Sequence, residues 1–146
     1  MTKAIWFDMD GVMANLYGVP NWLEYLLKSD PKPYKVATPL VNMNMLALIL
    51  NRLQREGWYI GIVSWLSKNA TEDYNKAVTK AKKEWLKKHL SSVEWNEINI
   101  VPYGTPKQTV VSITGGILFD DEEPNRNSWI GEAYDETKIF EILKNL

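Results

Sequence analysis

Four groups of polar residues follow short apolar segments at well-separated places in this 146-residue chain. Two of the groups carry paired carboxylates, and carboxylate oxygens are the ligands that Mg²⁺ prefers in proteins. Several carboxylates brought together without a cation would repel one another and retain protons. The sequence therefore predicts a magnesium site with room for a phosphate oxygen. The groups are Asp8-Met9-Asp10-Gly11, Ser64, Lys107 and Asp120-Asp121.

The lysine and the hydroxyl in this set suit a phosphoryl group. Lys107 would offset negative charge on a nucleophile and a phosphate, and Ser64 would donate a hydrogen bond. One carboxylate could then attack phosphorus and form an aspartyl phosphate. A second carboxylate could protonate the leaving oxygen and later activate water. Each group alone is common in turns and on surfaces, so the prediction rests on their order and spacing together.

The elements that must position these residues alternate along the chain. Continuous apolar segments with β-branched or aromatic residues predict buried strands, and apolar residues at helical spacing predict helices. The predicted strands are 4–7, 58–63, 98–101 and 117–119. The predicted helices are 21–27, 39–56 with Thr38 as the N-cap, 70–90, 108–112 and 138–146. Residues 29–38 and 124–134 are expected to be irregular.

This alternation predicts one α/β domain over residues 1–146, with a parallel sheet and helices on both faces. In such folds ligands bind beyond the carboxyl ends of the strands. Asp8, Ser64 and Asp120 each stand at the end of a predicted strand, and Lys107 follows another. We therefore expect these side chains to converge at one edge of the sheet.

The composition excludes several classes of protein and site. There is no cysteine, which excludes a disulfide-stapled module and a cysteine-ligated metal site, and the single histidine, His89, excludes a multi-histidine site. The 17 basic and 18 acidic residues leave no overall charge that would attract nucleic acid. No apolar segment is long enough for a signal peptide or a membrane span, so we expect a cytoplasmic protein. The oligomeric state is not predicted.

The long helix predicted over residues 70–90 has two faces. Tyr74, Val78, Ala81, Trp85 and Leu86 follow helical spacing and predict its buried face. The lysines of the same helix are interpreted as a solvated face, because acidic residues are mixed among them. They are Lys76, Lys80, Lys82, Lys83, Lys87 and Lys88.

The polar groups resemble, in order and placement, the four motifs of the haloacid dehalogenase (HAD) superfamily. The resemblance covers nearly the whole chain. It implies a Rossmann-like three-layer α/β/α fold with a parallel sheet, and Mg²⁺-dependent phosphoryl transfer. The matching segments are Asp8-Met9-Asp10-Gly11-Val12, Val63-Ser64, Lys107 and Leu118-Phe119-Asp120-Asp121.

The resemblance also implies a role for each residue. Asp8 would be the nucleophile, Asp10 the general acid and base, and Lys107 the group that stabilises the aspartyl phosphate. Ser64 would bind the phosphate, and Gly11 would belong to the same substrate-binding loop.

Four acids would form the metal site that the resemblance implies. Asp8 and Asp120 would bind Mg²⁺ through their carboxylates, and Asp10 through its backbone carbonyl. Asp121 would bind directly or through water. Acidic residues also follow at once, at Glu122 and Glu123, so the second acid of this motif is either Asp121 or one of these.

A small cap is the expected source of specificity. Once the helix over 39–56 is assigned, only residues 13–38 remain for it, including a short helix that carries Trp22. Together with Tyr17, Tyr25 and Trp65, this side chain either stacks on a base or packs the core. We expect Trp22 and Trp65 to bind substrate.

The opening motif and the small cap are similar to those of the 5′(3′)-deoxyribonucleotidase branch. The expected substrate is accordingly a small phosphorylated molecule, with a nucleotide as one candidate. Two alternatives remain open: a phosphatase of polynucleotide ends or another large phosphorylated partner, and a HAD-fold binding or regulatory protein without catalysis. The intact set of acids, hydroxyl and lysine counts against the second alternative.

Overall fold

In the computed structural model, which describes residues 2–146, a five-stranded parallel sheet is flanked by helices. The strand order is β3-β2-β1-β4-β5, so the first strand lies at the centre. All four strand pairs are parallel. The α/β fold class expected from the sequence is thereby confirmed. The strands are β1 Ala4–Phe7, β2 Tyr59–Trp65, β3 Glu97–Val101, β4 Ile117–Phe119 and β5 Glu132–Tyr134.

Helices connect the strands and complete the layers. Those of the first half are α1 Trp22–Leu27, α2 Lys32–Val36 and α3 Met43–Arg55, and those of the second half are α4 Glu72–His89, α5 Glu123–Ser128 and α6 Ile139–Lys144. Single 3-10 turns lie at Leu16–Gly18, Lys107–Thr109 and Glu136–Lys138. Within the described part of the chain, no helix has the length and apolarity needed to cross a membrane.

The two faces of the sheet are covered by different elements. Alternate residues of the central strands point to opposite faces, so each strand contributes to two apolar clusters. The larger cluster joins Ile5, Phe7, Ile60, Ile62, Ile117 and Phe119 to buried residues of α3, α4 and α6. The smaller cluster joins Trp6, Val63 and Leu118 to Val111 and Trp129, which lie outside the long helices.

The two segments expected to be irregular contain regular structure. Residues 29–38 hold α2, which begins next to Pro33 and buries Tyr34. Residues 124–134 hold most of α5 and the whole of β5. Both predictions were wrong because these elements are only three to six residues long and take their stability from pairing and packing that no local pattern shows.

The helix expected over residues 39–56 begins later than predicted. Asn42, and not Thr38, is its N-cap, because the Asn42 side chain accepts a hydrogen bond from the amide of Met45 at 3.0 Å. Pro39 instead pairs with Ala14 in an isolated β-bridge. This pairing holds the start of the segment after β1 against the sheet edge.

Candidate active site

The loop after β1 places Asp8 at the centre of the sheet edge. The amide of Asp8 donates to the carbonyl of Phe119 at 3.0 Å, which extends the β1–β4 pairing by one residue. The Asp8 side chain accepts from the amide of Met9 at 2.8 Å. The next residues form a tight turn, in which Gly11 has a φ of 78°. A Cβ atom there would lie 2.7 Å from Cγ of Asp121, so only glycine lets the two loops approach.

Three carboxylates meet where β1 and β4 end. Asp8, Asp120 and Asp121 each offer one oxygen, and these oxygens all lie within 4.8 Å of one another. Asp120 is fully buried and accepts from the amide of Glu122 at 2.9 Å and from Nδ2 of Asn125 at 3.2 Å. We name this group the carboxylate cluster. Its donor set consists of hard oxygen ligands, which fits a Mg²⁺ ion.

Lys107 supplies the positive charge beside the carboxylate cluster. It is 3% exposed, and its Nζ lies 2.5 Å from Oδ2 of Asp120 and 3.5 Å from Oδ1 of Asp8. Burial alone would lower the pKa of Lys107, but the charges of Asp8 and Asp120 outweigh it and raise the pKa. Lys107 is therefore a permanent cation at the place where an attacking carboxylate and a phosphate would both need one.

Burial and repulsion between neighbouring carboxylates raise the pKa values of two acids of the carboxylate cluster, Asp120 and Asp121. Burial raises the pKa of Asp120, and the neighbouring charge of Asp8 raises it further against the opposing effect of Lys107. Burial and then the charges of Asp8 and Asp120 raise the pKa of Asp121 to about 7. A divalent cation would relieve this repulsion.

Asp10 lies apart from the carboxylate cluster and has its own partner. Its Oδ2 is 3.0 Å from Nζ of Lys82, a residue of α4 that is only 1% exposed. The expectation that Lys82 belongs to a solvated lysine face was wrong. Burial raises the pKa of Asp10, and Lys82 opposes that rise. The sequence did contain a signal, because Val78, Lys82 and Leu86 share the buried face at a spacing of four residues.

That Ser64 binds a phosphate stays a prediction. Ser64 is fully buried within β2, and its hydroxyl accepts a hydrogen bond from Nζ of Lys82 at 2.8 Å. Neither Ser64 nor Gly11 lines the cavity beside the acids. The reason is that Lys82, reaching from α4, occupies the space next to the Ser64 hydroxyl.

A cavity of about 510 Å³ opens next to the acids and the lysine. Asp8, Asp10 and Lys107 form its polar floor. The segment 13–38 covers much of the rest with apolar and aromatic side chains, namely Leu16, Tyr17, Trp22, Leu23, Leu26, Leu27 and Tyr34. The end of β2 adds Trp65, the loops after β2 and β3 add Leu66 and Tyr103, and the segment after β4 adds Glu122 and Asn125.

Two aromatic pairs stand in the wall of this cavity. Tyr17 and Trp22 pack edge to face with ring centroids 5.1 Å apart, and Trp65 and Tyr103 pack at 5.0 Å. Trp65 is fixed by a hydrogen bond from its Nε1 to the carbonyl of Thr105 at 2.8 Å. The structure thus brings Trp22 and Trp65 to the cavity as expected. Tyr25, the other aromatic residue considered for stacking, lies outside the lining.

Solved structures with a similar architecture are phosphatases. D,D-heptose 1,7-bisphosphate phosphatase from Burkholderia thailandensis matches with a TM-score of 0.53 and 13% identity, over 87% of this chain and 71% of that chain. The enzyme of the same name from B. bronchiseptica, solved with magnesium and phosphate, matches with a TM-score of 0.50 and 15% identity, over 87% and 74% of the two chains. This chain shares the fold of these two phosphatases.

The HAD fold is the part of the motif resemblance that the structural comparison confirms. No family model and no curated protein sequence matches the chain. In the HAD fold of this chain, the carboxyl ends of β1 and β4 carry the carboxylate cluster, and Lys107 follows β3. The roles of these residues are argued below from their geometry.

Proposed function

We propose that this protein is a Mg²⁺-dependent phosphatase of phosphomonoesters, with Asp8 as the nucleophile. One observation carries the proposal: a buried lysine and three carboxylates converge beside a cavity large enough for a small substrate, and Lys107 and Asp8 belong to its floor. Asp8 is the member of the cluster that lines the cavity, so its carboxylate is the one a substrate would meet. The HAD fold shared with two phosphatases supports the same activity.

The reaction would proceed in two displacements at phosphorus. In the first, an oxygen of Asp8 attacks the phosphorus atom, the bond from phosphorus to the ester oxygen breaks, and protonated Asp10 gives its proton to that leaving oxygen. In the second, Asp10 takes a proton from a water molecule, whose oxygen attacks the aspartyl phosphate. Inorganic phosphate leaves, Asp8 is free again and Asp10 is protonated. Lys107 offsets the negative charge on Asp8 and on the phosphoryl oxygens in both steps.

The carboxylate cluster is the proposed place for Mg²⁺. Asp8, Asp120 and Asp121 would hold the ion, with the backbone carbonyl of Asp10 as a further ligand. When bound, the ion would neutralise charge on the phosphoryl group and on the acids. Asn125 and the Glu122 amide fix the Asp120 carboxylate, so this ligand is oriented before the metal arrives.

The raised pKa values of the acids predict that the stability of the protein without metal depends on pH. Bound Mg²⁺ should change this dependence. When the pKa of an acid is higher in the folded than in the unfolded protein, the folded protein loses stability as the pH rises from the unfolded-state pKa to the folded-state pKa. For Asp121 this window runs from about pH 4 to about pH 7. In chelator, the melting temperature should therefore fall across this window. Saturating Mg²⁺ should raise it by about 5–10 °C at pH 8 and by less at pH 5.5.

The control for this measurement is Asp121→Asn, which removes the acid with a pKa of about 7. In this variant the dependence on pH between 5 and 8 should become weaker, measured by thermal unfolding in chelator. A Mg²⁺ shift that is the same at both pH values would contradict a carboxylate metal site.

Residues 13–38 are proposed as a small cap that selects the substrate, and the preferred substrate class is the deoxynucleoside monophosphate. The cavity wall carries the pairs Tyr17–Trp22 and Trp65–Tyr103 within reach of the polar floor. Aromatic rings stack on any base, and each stacked base contributes about 1–3 kcal/mol. Nζ of Lys107 lies 5.4 Å from the centroid of Trp65, so the aromatic wall begins next to the phosphate end of the cavity.

Removing one ring should therefore lower the specificity for nucleotides. We expect Trp22→Ala to reduce kcat/KM for deoxynucleoside monophosphates by about 5-fold to 100-fold, the equivalent of one lost stacking contact. Hydrolysis of a sugar phosphate, which has no base, should change by less than about 3-fold. Trp22→Phe, which keeps an aromatic face, is the matched control. An equal loss on both substrates would show that Trp22 only packs the cap.

A substrate panel tests the proposed function as a whole. The panel holds an aryl phosphate, deoxynucleoside monophosphates, sugar phosphates and a 3′-phosphorylated oligonucleotide, each assayed with Mg²⁺ and with chelator. Mg²⁺-dependent turnover of the small esters supports the proposal. Turnover of the oligonucleotide alone would assign the protein to polynucleotide ends, and turnover of none would leave a binding protein.

A further inference from the structure

A second buried lysine, Lys82, lies beside the site and has no part in the chemistry proposed so far. Its ammonium group makes three short contacts: 3.0 Å to Oδ2 of Asp10, 2.8 Å to Oγ of Ser64 and 2.7 Å to the carbonyl of Trp65. Its Nζ also lies 5.3 Å from the ring centroid of Tyr34. An ammonium group has three protons to donate, so all of them are used within the protein.

Among residues 2–146, the two buried lysines contact different acids. Lys107 contacts Asp8 and Asp120, whereas Lys82 contacts Asp10. Lys107 lines the cavity and Lys82 does not. A substrate can therefore contact Lys107 directly, but Lys82 can influence the reaction only through Asp10.

Lys82 also joins three elements at the point where Asp10 lies. It extends from α4, contacts the end of β2 at Ser64 and Trp65, and reaches the loop after β1 at Asp10. Without this contact the Asp10 carboxyl would be free to rotate about its side-chain bonds. Proton transfer requires the acid to lie within hydrogen-bond reach of the leaving oxygen, so a fixed rotamer has a direct chemical value.

We propose that Lys82 is a positioning residue that holds the Asp10 carboxyl where it can exchange a proton with the ester oxygen. We assign Ser64 to the same device, because its hydroxyl accepts a hydrogen bond from Nζ of Lys82 and does not line the cavity. This inference rests on the proposed phosphatase function and specifies how its acid is oriented. In the first displacement Lys82 is important only when the leaving oxygen needs a proton, whereas in the second displacement, where Asp10 takes a proton from water, it would serve all esters alike.

The test compares two substrates whose leaving groups differ in that need. An alkyl phosphate releases a strongly basic alkoxide that must be protonated, whereas p-nitrophenyl phosphate releases a stable anion that needs little help. We expect Lys82→Met to reduce kcat/KM, which reports the first displacement, by about 10²-fold or more on the alkyl ester and by less than about 10-fold on the aryl ester. Lys83→Met, its exposed neighbour on α4, is the matched control and should leave both rates unchanged.

Two further variants separate positioning from a structural role. In an Asp10→Asn background, Lys82→Met should cause no additional loss on the alkyl ester, because both changes remove the same function. Ser64→Ala should lower kcat/KM on the alkyl ester more than on the aryl ester. If Lys82→Met does not give a folded protein by circular dichroism, Ser64→Ala decides the question on its own.

The outcomes are distinct. Equal losses of kcat/KM on the two esters, in Lys82→Met or in Ser64→Ala, would overturn the positioning role while the phosphatase function stands. If the unaltered protein hydrolyses neither ester with Mg²⁺, the proposed function fails and this inference fails with it.

Discussion

Replacing Asp8 by asparagine is expected to lower the hydrolysis of phosphomonoesters by roughly 10³-fold or more. The amide of asparagine has the size of the carboxyl group but is a poor nucleophile, so no aspartyl phosphate can form. The fold should be retained, because the link from the Asp8 amide to the Phe119 carbonyl belongs to the backbone. Steady-state assays with Mg²⁺ and an aryl phosphate measure the loss.

The thermal stability of Asp8→Asn provides a second result, because it should not fall although the activity does. Burial is the largest cause of the raised pKa values of Asp120 and Asp121, and the negative charge of Asp8 is the next. Its removal relieves this repulsion, and Lys107 keeps Asp120 as a partner at 2.5 Å, so Asp8→Asn should unfold in chelator at a temperature no lower than the unaltered protein. Asp73→Asn, at an exposed position in α4, is the matched control for activity. Full activity of Asp8→Asn would rule out its role as nucleophile.

Replacing Lys107 by methionine should have the largest effect on stability. The change leaves Asp120, which is fully buried, and Asp8, which is 8% exposed, without their cation. Breaking a buried ion pair by removing one partner costs about 3–5 kcal/mol, because an uncompensated charge stays in the interior. We expect the free energy of unfolding in chelator to fall by about this amount.

Urea denaturation measures this loss, and an exposed ion pair provides its control. Lys138 and Glu141 lie 3.3 Å apart with both side chains more than half exposed, so Lys138→Met should change the free energy of unfolding by less than about 0.5 kcal/mol. Mg²⁺ should recover part of the stability lost in Lys107→Met, because it restores positive charge beside Asp8 and Asp120. An unchanged denaturation midpoint in Lys107→Met would contradict the electrostatic account of the site.

The strands β1 to β4 were predictable from the local sequence, whereas the edge strand β5 was not. The four predicted strands form as β1 to β4. The segments of β1 and β4 are continuously apolar and fully buried, whereas β3, at the other edge of the sheet, is half-buried and carries Asn99 between apolar residues. The fifth strand, Glu132–Tyr134, has one exposed and two half-buried residues, and only its pairing with β4 makes it a strand. Edge elements of this kind depend on their neighbours in space, which a local pattern does not contain.

The same distinction holds for the candidate site. Asp8, Asp120, Asp121 and Lys107 converge as expected, because parallel strands bring their carboxyl ends to one edge. The contact between Lys82 and Asp10 was not predicted, since it depends on which side of α4 faces the sheet edge. A lysine within the apolar stripe of a helix is the one signal that would have indicated it.

The central position of β1 in the sheet has a consequence for when the candidate site forms during folding. Ile5 pairs with Ile117, and the amide of Asp8 with the carbonyl of Phe119, although more than a hundred residues separate them along the chain. Contacts between such distant segments form late and slowly in folding, because a long loop must close first. Asp8 and Asp120 therefore come together only when the last central strand docks, and the partly folded chain lacks the carboxylate cluster.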